Sequence, residues 1–420
     1  MSKGNDYEVI VIGGGPSGMM AAGVAANRGR RVLLLEKNER LGDKLKATGG
    51  GRCNIANAEE DRETLLRHYG KAKDFLYSPF SQFGVKETFK FFENQGLSLV
   101  VEARKRVFPK TQKSSDVFRV LEKYMKDGGV VVKANSRVIK ILRDASKIIG
   151  VQTGKEKFYA DSFIFATGGL SHPELGATGD GFSWLKALGH NVKEPSPDIV
   201  PLSVRERWVK DLSGVSLSFM KITFFLDGIK KISKKGKILF THFGLSGPLI
   251  LNSARAVKDL LRAGVVTAKI DTYPDTDLGA LEKQIIKIFD QNKNKTLKNI
   301  LPEICPEGLA PALGWLLEKT SSGEKLDLNK KVNSVSREER RRIVDLLKAL
   351  PLTITGLMGF DRAVVSDGGV ALEEIDFRTM RSKFHSNLYI TGDLLNISRP
   401  SGGFSLQLCW TTGYVAGNNI

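Results

Sequence analysis

Cysteine is scarce in this sequence of 420 residues, and the three that occur, Cys53, Cys305 and Cys409, are far apart. They cannot form a disulfide framework, and no CxxC pair is present to indicate a zinc site. No apolar run approaches the ~18 residues that a membrane-spanning helix needs. The N-terminus enters a strand pattern with no basic segment or cleavage site before it, unlike a secretory signal. These absences predict a cytoplasmic protein with no metal centre.

Acidic residues are in the minority, since 64 Lys and Arg face 46 Asp and Glu and the net charge is +18. The excess is largest in residues 201–300. The densest basic run, Lys230–Lys237, lies between two apolar stretches, and we interpret it as a solvated hairpin whose lysines protect an exposed strand edge. RNP, helix-turn-helix and zinc-finger patterns are missing, so nucleic acid is not the expected partner, although the charge does not exclude it.

The length predicts two or three domains, and a hydrophobic fraction of 41% is enough for large cores. The middle of the chain changes pattern twice. Residues 196–275 contain strand-like runs, residues 278–319 have a helical pattern, and residues 337–350 predict a further helix.

A βαβ pattern opens the chain. Residues 8–12 form a short β-branched run typical of a buried parallel strand, and a glycine-rich segment at 13–18 follows at once. Residues 19–27 are rich in Ala and Met and predict a helix, and residues 31–36 predict a second strand. The whole unit has about the ~30 residues expected of a βαβ motif.

Gly13, Gly15 and Gly18 within this unit form GxGxxG, and Glu36 ends the second strand 18 residues later. Gly13 permits the tight turn, Gly15 lets a pyrophosphate approach the backbone, and Gly18 lets helix and strand pack closely. The helix N-terminus offers free N–H groups to the phosphates. Glu36 is expected to accept hydrogen bonds from the adenosine ribose, and its charge disfavours a 2′-phosphate. The pattern predicts a dinucleotide site.

Two further turns favour FAD over NAD as the dinucleotide. One strand ends in Ala166-Thr167-Gly168-Gly169 and another, near the C-terminus, ends in Gly392-Asp393. Both turns resemble secondary fingerprints of FAD-binding flavoproteins, in which the carboxylate holds the ribityl or pyrophosphate portion. No second GxGxxG follows a strand after residue 40, which disfavours a disulfide reductase with two nucleotide domains. NAD(P)H is expected as a transient substrate at most.

Residues 49–54 read GGGRCN and residues 241–248 read THFGLSGP. Together with residues 166–181 and the block from Gly368 to Gly413, they resemble the BaiN-like (YhiN-like) family of FAD-dependent flavoproteins, some of which carry an aminoacetone oxidase label. The resemblance covers essentially the whole chain.

The resemblance implies an α/β fold in which a Rossmann-type FAD-binding domain, built from both ends of the chain, carries an inserted β-rich, barrel-like domain with a small helical segment. The FAD-binding domain is predicted at 1–195 and 353–420. The β-rich domain is predicted at 196–276 and 324–352, and the helical insertion at 277–323. The oligomeric state is expected to be a monomer or a homodimer.

The motifs and the resemblance together predict which residues bind FAD, without a covalent link. The predicted set is Gly13, Gly15, Pro16, Ser17, Gly18, Glu36, Lys37, Gly42, Lys44, Gly51, Arg52, Cys53, Asn54, Val138, Thr167, Gly168, Gly169, Gly392, Asp393, Gly402, Gly403, Phe404 and Leu406. Backbone N–H groups at 402–404 would lie beside the flavin, where the dipole of the last helix favours negative charge. Arg52 would pair with the pyrophosphate or would be an ordinary surface arginine.

Four positions depart from the family pattern. The family usually has Tyr at His172, Gly-Glu at Gly392-Asp393, Asp at Asn396, and Tyr-Asn-Leu-Gln at residues 404–407. Asp in place of Glu keeps the carboxylate, so the resemblance still implies FAD binding. The other changes remove polar groups near the expected flavin ring, so the substrate of the family does not transfer to this chain.

No residue is assigned to catalysis from the sequence. His172 and His242 lie in loops with Gly and Pro and are weak candidates for an acid or base, and we prefer to interpret each as a structural histidine bonded to the backbone. Cys53 is either a redox thiol or a small buried apolar residue. The expected function is a FAD-dependent oxidoreductase acting on a small organic substrate, with NAD(P)H or oxygen as its second partner. The alternatives are a flavin-dependent tRNA-modifying enzyme and a non-enzymatic RNA-binding or sensor flavoprotein.

Overall fold

A computed structural model describes residues 7–319 and 325–420, so the predicted boundary between residues 323 and 324 lies outside the described part. The chain divides into two compact units. The first comprises Met1–Pro197 and Phe360–Ile420, and the second comprises Asp198–Gly359. The finer division into three parts stays a prediction. Within the described ranges, no helix is long and apolar enough to cross a membrane.

The strands of the described residues are short, and most have the alternating or fully buried patterns of sheet cores. They are β1 (Val9–Ile12), β2 (Val32–Leu35), β3 (Ala56–Asn57), β4 (Leu99–Glu102), β5 (Arg106–Pro109), β6 (Val131–Lys133), β7 (Val138–Asp144), β8 (Lys147–Thr153), β9 (Lys157–Tyr159), β10 (Ser162–Phe165), β11 (Val192–Asp198), β12 (Leu202–Val204), β13 (Ser216–Leu226), β14 (Ile229–Thr241), β15 (Gly244–Ser246), β16 (Val266–Asp271), β17 (Leu350–Leu357), β18 (Val365–Val370), β19 (Ile375–Asp376), β20 (Arg381–Ser382) and β21 (Leu388–Ile390).

The helices fall in both units. They are α1 (Pro16–Asn27), α2 (Asp43–Ala47), α3 (Arg62–Arg67), α4 (Lys73–Gln82), α5 (Val85–Asn94), α6 (Ser114–Asp127), α7 (Asp180–Ala187), α8 (Arg207–Asp211), α9 (Pro248–Leu251), α10 (Ala254–Ala263), α11 (Leu278–Gln291), α12 (Leu297–Ile304), α13 (Ala310–Glu318), α14 (Arg337–Lys348) and α15 (Phe404–Asn418).

The first unit is built on a seven-stranded sheet in the order β19-β20-β21-β10-β1-β2-β6. Its central pairs, β21/β10, β10/β1, β1/β2 and β2/β6, are parallel. All four residues of β1 and of β2 are buried, as expected of parallel strands covered on both faces. The predicted Rossmann-type fold is therefore confirmed, and the carboxyl ends of β1 and β10 meet at one edge of the sheet, where ligands of such folds bind.

Helix α15 packs against α1 through glycine. A Cβ atom at Gly413 would lie 2.4 Å from the carbonyl oxygen of Ser17, and one at Gly417 would lie 2.4 Å from that of Ala21. Glycine is thus required for this approach of the two backbones. The last helix of the chain is in this way fixed beside the helix that follows the glycine-rich turn.

The second unit contains a closed barrel in the strand order β12-β15-β14-β13-β16-β17, which confirms the predicted barrel-like domain. Alternate residues of its strands, such as Ile222, Phe224 and Phe240, are fully buried and form the barrel core. Apolar residues of α11, α12 and α13 belong to the same core. The helical segment predicted after residue 277 is therefore packed on the barrel.

The β13/β14 pair forms the hairpin expected at the lysine-rich run, with Leu226 opposite Ile229. The strand-like interpretation of residues 196–275 was incomplete, because α8, α9 and α10 lie among these strands. Helices α8 and α9 have only five and four residues, too short to show a helical period in the sequence.

Candidate cofactor-binding site

A cleft with about 920 Å³ of empty volume lies in the first unit. Its walls come from the turn after β1, the end of β2, helix α2, the loop after β10 and the start of α15. The sequence-predicted residues that line it are Gly13, Gly15, Pro16, Ser17, Glu36, Gly42, Lys44, Thr167, Gly168, Asp393 and Leu406. The structure therefore brings together segments from both ends of the chain.

The three fingerprint glycines occupy different environments. Gly13 has φ +108°, and a Cβ atom there would lie 2.5 Å from the carbonyl oxygen of Ala166. A Cβ at Gly18 would lie 1.9 Å from the carbonyl oxygen of Gly13, so close packing of helix and strand requires this glycine. A Cβ at Gly15 would meet no atom within 4 Å and would enter the cleft instead. The backbone at Gly15 is thus open to a ligand, as the motif predicts.

Helix α1 begins at this opening. Gly15 is its N-cap residue and Pro16, which has no N–H group, is its first residue. The first turn of a helix leaves N–H groups without partners inside the helix and carries a partial positive charge. The cleft therefore has a wall that favours an anionic group such as a pyrophosphate.

Glu36 is buried at the end of β2 and faces the glycine-rich turn. Its Oε2 atom accepts a hydrogen bond of 2.7 Å from the backbone N–H of Gly14, and its Oε1 atom accepts one of 2.8 Å from that of Asn38. Each carboxylate oxygen keeps further acceptor capacity. A carboxylate fixed in this way suits the hydroxyl groups of a ribose.

Asp393 is the centre of a charge cluster that lines the cleft. It forms an ion pair with Arg399, whose side chain is 1% exposed, and its Oδ2 atom lies 3.8 Å from Nζ of Lys44. Burial alone would raise the pKa of Asp393, but Arg399 and Lys44 outweigh it and hold the pKa below its usual value. Burial lowers the pKa of Lys44, and Asp393 partly opposes that effect. Lys44 also donates to the hydroxyl of Ser171.

A second, smaller cavity shares Gly13, Glu36 and Thr167 with the cleft and adds Lys37 and Val138. Both of the added residues belong to the predicted set.

Asp180 also lines this cavity and interacts with two cations. Its carboxylate lies 3.2 Å from Arg137 and 3.6 Å from Lys37. These cations keep the pKa of Asp180 below its usual value, although burial alone would raise it. Asp180 is the first residue of α7, and Gly179 is the N-cap residue of that helix.

Residues 7–419 match the family model described as the HI0933-like protein Rossmann domain. The chain belongs to the HI0933-like family. Three relatives are similar along nearly the whole length. The 3-dehydro-bile acid delta(4,6)-reductase of Clostridium scindens is 29% identical over 97% of both chains. The ribosomal RNA dihydrouridine synthases of Haemophilus influenzae and Escherichia coli are 26% and 25% identical, over 98% and 99% of this chain and 98% of each relative.

Two solved structures have the same fold. The 3-ketosteroid-delta4-(5alpha)-dehydrogenase of Rhodococcus jostii superposes with a TM-score of 0.55 at 14% identity, and the match covers 100% of this HI0933-like chain and 98% of the other. The FrdA subunit of Escherichia coli quinol fumarate reductase gives 0.53 at 15% identity, covering 98% and 69%. The resemblance to the BaiN-like family is confirmed. This HI0933-like protein is a FAD-dependent oxidoreductase.

The cleft fits FAD in two respects that do not depend on the comparisons. The hydroxyl oxygen of Thr167 is buried and has no hydrogen-bond partner in the protein, and Thr167 lines both cavities. The open space over Gly15 lies at the helix N-terminus, where a pyrophosphate would bind. An unpaired buried hydroxyl costs free energy that a ligand can recover.

Ten residues of the predicted set line neither cavity: Gly18, Gly51, Arg52, Cys53, Asn54, Gly169, Gly392, Gly402, Gly403 and Phe404. Some of them shape the backbone. A Cβ at Gly403 would lie 2.1 Å from the carbonyl oxygen of Ala56, and one at Gly392 would lie 2.8 Å from the hydroxyl of Ser17. Gly402 and Gly403 thus bring the start of α15 against β3.

The Arg52 guanidinium has protein partners in place of the predicted pyrophosphate. It pairs with Glu102, donates from Nε to Gln112 over 2.7 Å, and lies 4.2 Å from the centre of the Phe108 ring. Cys53 is fully buried, and burial raises the pKa of its thiol to about 12. A thiol that stays protonated is a poor nucleophile, so the structure favours the packing role of Cys53.

His172 lies in the loop that leads to the cleft residues Leu175 and Gly176. Its backbone is left-handed, with φ 57°, and its Nδ1 atom lies 2.8 Å from a carboxylate oxygen of Glu174. His242 belongs to the second unit, in the loop between β14 and β15. The two candidate histidines therefore belong to different units.

Several cleft residues were not predicted from the sequence. Asn38, Arg40, Thr48, Ser405 and Cys409 line the cleft but belong to no motif. Arg399, which pairs with Asp393, was missed for the same reason. Cys409 lies three residues after Leu406, which was predicted, and both are on α15. Residues at this spacing share a helix face, so the spacing could have indicated Cys409 as well.

Proposed function

We propose that this protein is a FAD-dependent reductase that adds hydrogen across a carbon–carbon double bond conjugated to a carbonyl group. One observation carries the proposal. The chain matches, over nearly its whole length, relatives named for two substrates that share this bond. In a 3-oxo bile acid the Δ4 bond is conjugated to the ketone, and in uridine the C5=C6 bond is conjugated to the C4 carbonyl. A single chemical step, hydride addition to the β-carbon followed by protonation of the α-carbon, serves both.

FAD, when bound and reduced, would supply the hydride, and NAD(P)H would then reduce it again. The protein has to bind and orient FAD and the substrate, and it has to protonate the substrate. Gly15 and the N-terminus of α1 hold the pyrophosphate, and Glu36 holds the adenosine ribose. Lys44 and Asp393, which lie 3.8 Å apart in the cleft, would hold the ribityl and flavin side. Lys37 and Val138, in the smaller cavity, receive the adenine end.

His172 is our candidate for the proton donor. Its Nδ1 atom is engaged by Glu174, so the Nε2 atom is the one that can give a proton to the substrate. The bond to His172 lowers the pKa of Glu174, so this carboxylate stays charged and orients the ring. The family pattern has Tyr at this position, and both side chains can donate a proton.

NAD(P)H would reach the flavin through the same opening as the substrate. The complete set of ribose and phosphate contacts in the described residues, at Gly15, α1 and Glu36, is assigned to FAD. Nicotinamide and substrate should therefore alternate, and the kinetics should be ping-pong with weak discrimination between NADH and NADPH.

The small organic substrate expected from the sequence remains the leading proposal, in the form of an enone. A uracil base in RNA is the second candidate, and the specific observation that favours it is the net charge of +18. The test uses protein that has been reduced with NADPH under anaerobic conditions. It is mixed in separate reactions with a 3-oxo-4-ene steroid, with uridine-containing RNA, and with oxygen. Flavin reoxidation with formation of the saturated product supports the reductase, whereas reoxidation by oxygen alone identifies an oxidase and contradicts the proposal.

A further inference from the structure

The barrel of the second unit has one strongly basic outer surface, where β14, β13 and β16 run side by side. We call this surface the basic face. It is defined by the lysines Lys221, Lys230, Lys237 and Lys269 and the aromatic residues Phe219 and Phe225. The register places them on one side of the sheet, since Phe225 is opposite Lys230 and Thr223 is opposite Lys269.

The lysines of the basic face have no carboxylate partner. In residues 7–319 and 325–420, none of the four ammonium groups lies within 4.0 Å of a carboxylate oxygen. The nearby acids are used elsewhere, since Asp275 pairs with Lys235 and Asp271 lies 2.8 Å from Lys348. The positive charge of the face is therefore not neutralised within the chain.

Protection of a strand edge explains only part of this charge, because β14 pairs with β15 at Leu239–Thr241 and its lysine-rich part has β13 as its one strand neighbour within the described residues. Lys221 is on β13 and Lys269 is on β16, and both strands are paired on each side within the barrel. Lys221 is directly opposite Lys235 on β14 and Asp271 on β16, so its cross-strand neighbours carry both signs of charge. Edge protection accounts for Lys230 and Lys237 but not for Lys221 and Lys269, whereas binding a polyanion accounts for all four.

The aromatic residues add a second feature. Phe219 is 76% exposed and has φ 61°, and it lies where the β13/β14 register shifts between Leu217 and Met220. A phenylalanine in a left-handed conformation is strained. Because the ring is exposed, it gains no hydrophobic stabilisation that would offset this strain. Phe225 lies 5.5 Å from the ammonium group of Lys269. Rings among lysines on an open sheet are the arrangement that binds single-stranded nucleic acid, by stacking on bases and pairing with phosphates.

We propose that the basic face binds a single-stranded segment of RNA. The lysines contact successive phosphates, and Phe219 stacks on an unpaired base. The choice of RNA as the polyanion rests on the proposed function, in which a uracil base is one of the two substrates. The exposed ring of Phe219 favours an unstacked strand over an RNA helix, whose bases are covered.

The test compares two triple variants of the full-length, FAD-loaded protein. The first, Lys221→Ala/Lys237→Ala/Lys269→Ala, removes charge from the face. The second, Lys283→Ala/Lys287→Ala/Lys298→Ala, removes the same charge from exposed positions of α11 and α12 in the same unit. The probe is a 20-nucleotide oligouridylate, and fluorescence anisotropy at several salt concentrations gives the dissociation constant. Phe219→Ala and Phe219→Trp test the ring.

The wild type should bind the oligouridylate with an affinity that falls with salt. The face variant should bind at least ten times more weakly, with a salt slope shallower by roughly 2, as expected for three lost phosphate contacts. The control variant should stay within about twofold of the wild type, because general charge is not the cause. Phe219→Ala should weaken binding roughly tenfold and Phe219→Trp should preserve it, since stacking survives.

Equal losses in the two triple variants would overturn the proposal, as would tighter binding to anionic phospholipid vesicles than to the oligouridylate. The proposed function fails separately. If neither RNA uracil nor an enone reoxidises the reduced flavin while face-dependent binding persists, the reductase is wrong and the basic face stands. If the face variant saturates uracil in RNA at the wild-type rate and at the same RNA concentration, the basic face is wrong and the reductase stands.

Discussion

The backbone N–H of Gly14 donates a 2.7 Å hydrogen bond to Oε2 of Glu36, 22 residues further along the chain. This bond joins the glycine-rich turn after β1 to the carboxyl end of β2. It fixes the carboxylate before any ligand binds, so the ribose contact needs no rearrangement. Preorganisation of this kind reduces the entropy that binding has to overcome.

Replacement of Glu36 should therefore weaken FAD binding, and the effect should be larger when both the ribose acceptor and the partner of the Gly14 N–H are lost. Glu36→Ala removes the ribose acceptor and leaves the N–H of Gly14 without its partner, so the dissociation constant of FAD should rise by about tenfold to a hundredfold. Glu36→Gln keeps the shape and should cost less. Titration of apoprotein with FAD measures both values. Glu39→Gln, at an exposed position three residues later, is the matched control and should leave them unchanged.

Gly15→Val tests the cradle for the pyrophosphate. The backbone of Gly15 is extended, with φ −79°, so valine is compatible with the fold, and its side chain would occupy open space in the cleft. The variant should fold with an unchanged melting temperature of the apoprotein and should be isolated without yellow colour. Gly154→Val, also in open space but outside the cleft, should retain FAD. Yellow Gly15→Val protein would place the pyrophosphate elsewhere.

The strand–turn–helix–strand unit around Gly13–Gly18 could be predicted from the sequence because every determinant is local. The buried run of β1, the glycine spacing and Glu36 all lie within 28 residues, from Val9 to Glu36. The barrel was predicted through the family resemblance and not from local patterns, because its closure depends on pairing of Leu202 with Leu357 across more than a hundred residues. Arg399 was missed because a single arginine before a glycine-rich turn carries no pattern.

Loss of the Asp393 carboxylate should destabilise the apoprotein as well as the holoenzyme. Asp393→Asn removes the carboxylate that pairs with the buried Arg399 guanidinium, which should lower the free energy of unfolding by about 3–5 kcal/mol. Chemical denaturation of the apoprotein measures this. Asp367→Asn, whose carboxylate bonds to Ser398 and Lys193 in the same unit, gives a comparison outside the cleft and should cost less.

The same carboxylate sets part of the dependence of stability on pH. The pKa of Asp393 is lower in the folded protein than its usual value of 3.8, so its contribution is present above that value. It is lost as pH falls through the folded pKa, because protonation then favours the unfolded chain. The stability curve of Asp393→Asn should accordingly be flatter on the acid side. Parallel curves for wild type and variant would mean that Asp393 is not the charged partner of Arg399.

His172→Gln tests the proton donor. The variant should bind FAD and accept electrons from NADPH as the wild type does, but saturation of the double bond should slow by roughly 10²–10⁴-fold. Stopped-flow spectroscopy separates the two half-reactions. Added imidazole should restore part of the second rate, whereas His172→Tyr, the residue usual in the family, should retain much of it. A uniform loss in both half-reactions would indicate a structural role.

The most direct test of the account is one anaerobic mixing experiment. Protein reduced with a single equivalent of NADPH is combined with a 3-oxo-4-ene steroid or with uridine-containing RNA, and product is identified by mass spectrometry. We expect the absorbance of oxidised flavin to return in one turnover. We also expect the product of one of the two substrates to contain two more hydrogens than that substrate, at the conjugated bond. Reduced flavin that persists with both substrates and is reoxidised by oxygen alone would contradict it.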